Sequence, residues 1–569
     1  GDNSWVTPTD TTTPANGTVT ADKIATGVQL VTTDGQNNTV AGITAGDAFS
    51  GTDATNNTLF GKDAGTDITT GDGNTVIGYI AAANITEGDH NVAIGQGALW
   101  TATDADYNVA ISKDSLAGLT TGDNNIAIGY KALEDNTTAS NNTAVGFQAL
   151  KENITGTENT AVGAEALEAT TTGSANTALG WKALEANTAS GNVAIGKEAL
   201  IANTSGAGAT AVGTSALDAQ TTGDYNTAVG GLALSANVDN HHNTAIGYRS
   251  LYVSNGGEQN IAVGSHCMDA LTTGDKNVGV GYWALGGAVT GGENVAVGNM
   301  SLMANTSGGS NTAVGMDALV ANTTGDNLVA IGKDALKANT TANDNIAIGR
   351  SAMAPNQTGT ENTVIGYHAL ATSTTGSGNT AVGYTALNAN TASDNTAFGK
   401  NANNGVTTGS NNTAIGKDAG TAASPSGNLT SQDNIFVLGN SNVGALYCND
   451  TSISSSDQRD KTDFTEWTHG LDWINKLKPV TYRWDRRVWY DDGTPDGSKK
   501  RARLHLGFKA QDVLAIEQAD GYAGKKDDML LINLNEDDTA YGMKYERLVV
   551  VLTKAVQELS AKVAALEAK

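Results

Sequence analysis

From about residue 57 to residue 420 the chain alternates two short apolar runs with polar and glycine positions, and the alternation keeps its phase. A typical unit is NTAVGMDALVANTTGDN, Asn311 to Asn327. The glycine closing its first run recurs at Gly61, Gly78 and Gly95, is replaced by Ser112, and continues from Gly129 to Gly416. That makes 22 landmarks, spaced by 17 residues except for two steps of 16. Short apolar runs bounded by Gly, Asn and Thr predict strands joined by tight turns. An amphipathic helix needs a longer unbroken 3.6-residue period. TAVG and ALVAN are therefore expected as two strands, and each unit as one coil of a parallel β-solenoid. At about 4.8 Å per coil, 22 coils predict a rod on the order of 100 Å long. Pro355 is the only proline between Gly61 and Gly416, as suits a chain whose backbone donors are needed in ladders.

After Gly416 the period dissolves into NIFVLGNSNVGALYCNDTSISS, Asn434 to Ser455, which reads as a further strand or narrow stalk. Beyond it lie GLDWINKLKPVTYRW (Gly470 to Trp484), HLGFKAQDVLAIEQ (His505 to Gln518) and a closing YERLVVVLTKAVQELSAKVAALEAK (Tyr545 to Lys569). The last has Val549, Leu552, Val556, Leu559, Val563 and Leu566 in a heptad seam, which predicts a coiled coil from about Tyr545. Val at a with Leu at d leans towards a dimer, and three heptads do not set a stoichiometry. The expected domains are an N-terminal attachment or linker segment (1–56), a 22-coil shaft (57–420), an end cap or stalk (421–455) and a C-terminal domain (456–569).

Composition changes this picture in two respects. Glycine supplies 69 of 569 residues and proline only 6. This is the wrong mix for collagen, while the strict repeat argues against disorder. The net charge of −26 is unevenly placed: residues 456–569 hold 19 basic and 20 acidic side chains, leaving 14 and 39 before them. Four of the eight tryptophans (Trp467, Trp473, Trp484, Trp489) also fall there. An acidic shaft disfavours nucleic acid and anionic membrane. No apolar run of membrane-spanning length and no uncleaved signal peptide is visible in the sequence, so membrane insertion is not expected. Cys267 and Cys448 are too few for a disulfide framework.

Candidate chemistry in the shaft is sparse. The position after the landmark glycine often holds an aromatic residue, and Trp181, Tyr248, Tyr282 and the adjoining Trp283 are the candidate receptor contacts, able to stack on sugar rings. Spacing and covering the coils is the plainer role for such a column. His241 and His242 form the densest polar departure from the repeat; solvated turn histidines are expected there, and no metal or cofactor. Glycoside hydrolysis needs two carboxylates at a set separation, whereas Asp123, Asp224, Asp326 and Asp344 scatter over turn positions.

Two resemblances sharpen the expectation. The repeats resemble the SVAIG-type β-roll heads of trimeric autotransporter adhesins and the shafts of phage tail fibres, which implies a homotrimer. SDQRDK from Ser456, LKPVTYRW, GFKAQDV and KAVQEL, in this order, resemble the C-terminal intramolecular chaperone of phage tail fibres and endosialidase tailspikes, a family of self-cleaving serine peptidases. The resemblance implies a fold that is mostly β, an elongated trimeric solenoid followed by an α+β chaperone ending in a coiled coil. It also implies a Ser456–Lys461 dyad, in which a neutral lysine takes the serine proton, with Asp457 and Arg459 ordering the loop. The function so implied is host attachment by a fibre of the virion, with a tail or baseplate protein at its N-terminus and a glycan or protein receptor on the host surface. The alternatives are a trimeric adhesin on the bacterial surface using the same chaperone and, after it, a polysaccharide-degrading tailspike. A chaperone has a physical purpose here, because slippage by one of 22 similar coils changes few contacts.

Overall fold

A computed structural model describes residues 32–49, 53–287, 289–443, 462–490, 492–534 and 541–569. Two compact units, Gly1–Thr273 and Gly274–Lys569, make up the chain. The first is a parallel β-solenoid. After an antiparallel pair, Thr32–Thr33 with Thr39–Ala41, one three-residue strand per coil stacks in parallel from Thr39–Ala41 to Ile261–Val263. The register matches like with like, as in Thr143 opposite Thr160, Ala144 opposite Ala161 and Val145 opposite Val162. The second unit begins with the same architecture, from Val278–Val280 to Phe436–Leu438. The ladder thus reaches beyond the regular period in both directions: Thr39–Ala41 lies before residue 57, and the last coil lengthens to 23 residues between Thr413 and Phe436.

The strand alternates as its period of two requires. In Thr312–Val314 the middle Ala313 is fully buried, and Thr312 and Val314 face outward. Alanine suits the inner position because the interior is only one side chain deep, with Leu319 and Ala318 closing it from the other side. Asparagine fills the remaining inner corners. The Asn311 Nδ2 donates to the Gly325 carbonyl at 2.8 Å, and its Oδ1 accepts the Leu328 N–H of the next coil at 2.9 Å. Asn322 links Asn305 and Asn339 in a second column, at 3.0 and 2.9 Å. In these columns the buried amides replace water with protein partners.

The second apolar run departs from the sequence expectation. ALVAN forms no strand; it is a chain of tight turns. Asp317 and Leu319 both take left-handed backbone, at φ of 57° and 52°. Alternating the sign of φ curls the chain around Leu319 while keeping its N–H along the axis, where it donates to the Ala335 carbonyl at 3.0 Å. An extended strand would carry the chain past the interior without closing it. Left-handed geometry costs a non-glycine residue roughly 1–2 kcal/mol, and burying a leucine side chain returns about 1.5–3 kcal/mol. The landmark glycine has a separate reason. Gly315 sits at φ 133°, and a Cβ there would lie 2.7 Å from the carbonyl of Gly332 in the next coil.

Alanine, leucine and asparagine columns are fully buried within one chain, so association of copies is not what closes them.

The C-terminal part of the second unit is small and mixed. Helix α1 (Leu471–Lys476) leads to an antiparallel pair, Val480–Tyr482 with His505–Gly507, then to α2 (Ala510–Ala519). A second antiparallel pair, Ile532–Leu534 with Tyr541–Met543, precedes α3 (Leu548–Glu567). Trp473, Val513, Ile516, Leu531, Ile532, Leu548 and Val551 share one core. Among the described residues no helix is long and apolar enough to cross a membrane.

Candidate functional site

Ser456, Asp457, Arg459 and Lys461, with Cys448, lie outside the described residues. The chain is described again from Thr462, and the segment that follows is tied to the C-terminal helix. Trp467 meets Trp473 edge to face at 5.0 Å. The Leu471 N–H, at the start of α1, donates to Glu558 Oε2 of α3 at 2.9 Å. Gly470 permits this approach, since a Cβ there would stand 2.7 Å from the Ala555 backbone nitrogen.

Further polar contacts fix the same corner. The Trp473 Nε1–H donates to Asp520 Oδ2 at 2.5 Å, and Lys476 Nζ lies 3.5 Å from that oxygen. His469 Nδ1 is 2.9 Å from Asp472 Oδ2. Burial pushes the Asp472 carboxyl up, but its hydrogen bonds from His469 and the Trp473 N–H outweigh this and hold it below the ordinary carboxylate range. Glu517 of α2 is fully buried and accepts the backbone N–H groups of Leu530 and Leu531. A buried carboxylate with two such donors is a satisfied structural clamp.

Helix α3 has two unlike faces. Leu548, Val551 and Ala555 are buried against the domain core. Val549, Leu552, Val556, Leu559, Val563 and Leu566, the heptad seam of the sequence, are exposed. The helix spans Leu548–Glu567, starting three residues after the expected Tyr545 because Tyr545–Arg547 forms a 3-10 turn. The contact through Gly470 and Glu558 therefore couples the chain that follows residue 461 to a helix with an exposed apolar seam.

The near-neutral total charge of this domain conceals an excursion between its first two strands. Arg486 lies 4.4 Å over Trp484 and Arg501 4.9 Å over Trp489, with Arg483, Lys499 and Arg503 beside them. Only a windowed charge count along 483–503 would have revealed it.

In the shaft, the candidate receptor residues stand in the column after the landmark glycine. Trp181 is exposed, with Lys182 and Lys197 ammonium groups 5.4 and 5.1 Å from its ring. Tyr248 meets His266 edge-on at 5.6 Å, and Tyr282 meets Trp283 likewise at 6.3 Å. Tyr130 stacks on Phe147 and Tyr367 on Tyr384 from coil to coil, so spacing the coils is a role the column visibly performs. His242 stacks on Tyr225 at 5.4 Å, and His241 Nδ1 accepts the Asp224 N–H at 3.0 Å.

The scattered aspartates have a structural explanation that sequence reading missed. Asp123 Oδ1 accepts the Asp106 N–H at 2.8 Å, Asp224 Oδ1 the Ala207 N–H at 2.8 Å and Asp326 Oδ1 the Gly309 N–H at 2.7 Å, each across one coil. Their shared phase in the 17-residue repeat, whole coils apart, was the available signal. Two acidic clusters among the described residues are close enough to share a cation, His469–Asp472–Asp520 and Glu165–Glu168–Glu185. Lysine already serves both: Lys476 on Asp520, and Lys182 between Glu165 and Glu185 at 3.1 and 2.8 Å.

Residues 456–522 match the family model described as chaperone of endosialidase. No curated protein and no solved structure matches the chain. The chain thus carries an intramolecular-chaperone segment behind a parallel β-solenoid, a combination that fits a homotrimeric, fibre-like or tailspike-like protein.

Proposed function

We propose that this chaperone-bearing solenoid is a trimeric phage tail fibre that attaches the virion to its host, with its N-terminal end on a tail or baseplate protein. The observation that carries the reading is the order of parts, a long in-register ladder followed by a chaperone segment. Three parallel copies of a repetitive ladder need an external nucleus to set their register, and the α3 seam provides one. The receptor is a glycan or protein on the host surface, met by exposed aromatic side chains such as Trp181 and Tyr248.

In the same reading the chaperone excises itself once the trimer is formed. Ser456 Oγ attacks an adjoining peptide carbonyl as Lys461 Nζ takes its proton, the lysine returns a proton to the leaving amine, and water hydrolyses the resulting ester. Loss of the nucleus after assembly leaves the shaft without an easy route back to unfolded chains, which is kinetic stability. The test is expression of the chain beside Ser456→Ala and Lys461→Ala, followed by denaturing gels. The wild type is expected as two fragments parted next to Ser456 and both variants at full length. Full-length wild type in an already trimeric preparation overturns the self-cleavage, and binding to host cells that survives removal of the shaft overturns the attachment role.

A further inference from the structure

We propose that the outward face of the strand ladder is the surface on which copies of this chain pack against one another, and that Phe60, Phe398 and Phe436 key their register. The inference rests on the trimeric reading above. It starts from a regularity of both units. From Thr58–Phe60 to Ile261–Val263, and again from Val278–Val280 to Phe436–Leu438, the first and third strand residues are only Thr, Val, Ile, Leu or Phe. Charge is wholly excluded from this face in a chain of net charge −26. The turn that follows the landmark glycine does admit charge, with pairs such as Lys131–Glu134 and Lys337–Asp334.

These side chains are not part of the closed interior, which alanine, leucine and asparagine complete inside one chain. Ile128, Leu179, Ile331 and Ile365 are exposed, and the aromatic members more so: Phe60 58%, Phe398 58% and Phe436 63%. In the second unit the face runs over ten successive strands, from Val278–Val280 to Phe436–Leu438. A monomer seldom leaves so large an apolar patch in water.

A second copy is the occupant that fits. The face repeats the same chemistry at every coil, so parallel copies in register match it along its whole length, whereas an unrelated globular partner would meet only a few coils. The exposed seam of α3 brings the same copies together. Slippage is the hazard of such uniformity. At the third strand position phenylalanine occurs only at Phe60 and Phe398, and at the first only at Phe436. A slip of one coil sets the Phe398 ring against the place of a partner's Val382 or Ile415, where the smaller side chain leaves the packing mismatched.

The test uses the full chain with Cys267→Ala and Cys448→Ser, its oligomeric state measured by light scattering. Onto this background go Ile331→Cys, the double change Val329→Cys with Ile331→Cys, and Lys333→Cys as the control from the turn after the landmark glycine of the same coil. Mild oxidation is expected to link chains covalently in the first two and not in the third. Adding Phe60→Val, Phe398→Val and Phe436→Val is expected to lower the cross-link yield several-fold while the trimer persists. A trimer that cross-links at Lys333→Cys and not on the strand face overturns the inference and leaves the trimeric reading standing. A monomeric parent chain overturns that reading itself, and an unchanged yield in the phenylalanine variants overturns the register keys alone.

Discussion

Asn403 stands in the leucine column, the place of Leu370 and Leu387 in earlier coils, and replacing it by leucine should stabilise the shaft. It is fully buried, and neither its Oδ1 nor its Nδ2 has a hydrogen-bond partner among the described residues. Leaving a buried polar group unsatisfied costs about 1–3 kcal/mol, and a buried leucine contributes about 1.5–3 kcal/mol relative to an exposed one. Backbone geometry takes back part of this gain, because asparagine tolerates left-handed φ better than leucine. The site nevertheless already has leucine geometry: Asn403 sits at φ 48°, Leu370 at 48° and Leu387 at 51°. The expected net effect of Asn403→Leu is about 2 kcal/mol of stabilisation, or roughly a 30-fold slowing of local amide exchange at 1.4 kcal/mol per factor of ten. The same swap at Asn322 should have the opposite sign, since that amide bonds Asn305, Asn339 and the Gly325 carbonyl. Amide exchange read by mass spectrometry on peptides covering 396–416 and 312–332 measures both. Faster exchange around Leu-substituted position 403 would refute the argument that unpaired burial, and not side-chain polarity as such, sets the cost.

The landmark position gives a second pair of opposite changes. Gly315→Ala meets the Gly332 carbonyl and an unfavourable φ, a loss of about 1–3 kcal/mol, whereas Ser112→Gly relieves a serine held at φ 115°; thermal melts of the two should move in opposite directions. Burial pushes the Asp218 carboxyl up, against a hydrogen bond from the Ser235 hydroxyl at 2.6 Å. Burial, with a neighbouring acid, likewise raises Glu168 and Asp135. A folded-state pKa above the unfolded one means that the folded chain binds more protons in the window between them, so these groups add stability as pH falls through it and lose it as pH rises. Asp218→Asn should therefore raise the melting temperature at neutral pH, a gain that disappears below the ordinary aspartate range. Burial also pushes the Cys267 thiol up to about 12, and alkylation in mildly alkaline buffer should label it only after unfolding.

The landmark glycine shows what could be read ahead. Its 17-residue recurrence is enough to announce a stacked coil, because a residue without Cβ accommodates the next coil's carbonyl so near without strain. ALVAN could not be read as turns, since leucine carries no signal for left-handed backbone; that geometry is imposed by closing the coil around Leu319. Asp123, Asp224 and Asp326 looked like turn residues for a related reason. Their acceptors serve a neighbour 17 residues away, a contact that exists only once the coils are stacked. The chaperone segment was legible because its motifs are short contiguous runs, and the family model falls on residues 456–522, which hold SDQRDK, LKPVTYRW and GFKAQDV but not KAVQEL; the geometry of Ser456 and Lys461 lies outside the described residues.

By itself, then, the sequence determined the period, the parallel stacking, the boundary in charge and the heptad seam, all of them properties of neighbouring residues or of a fixed spacing. Tertiary structure alone decided which apolar residues are inside. Ala313 and Val314 are adjacent and equally apolar, yet one is sealed within the coil and the other is turned to the surface, because the pleat, the left-handed curl at Leu319 and the asparagine clamps together leave room for one side chain and no more.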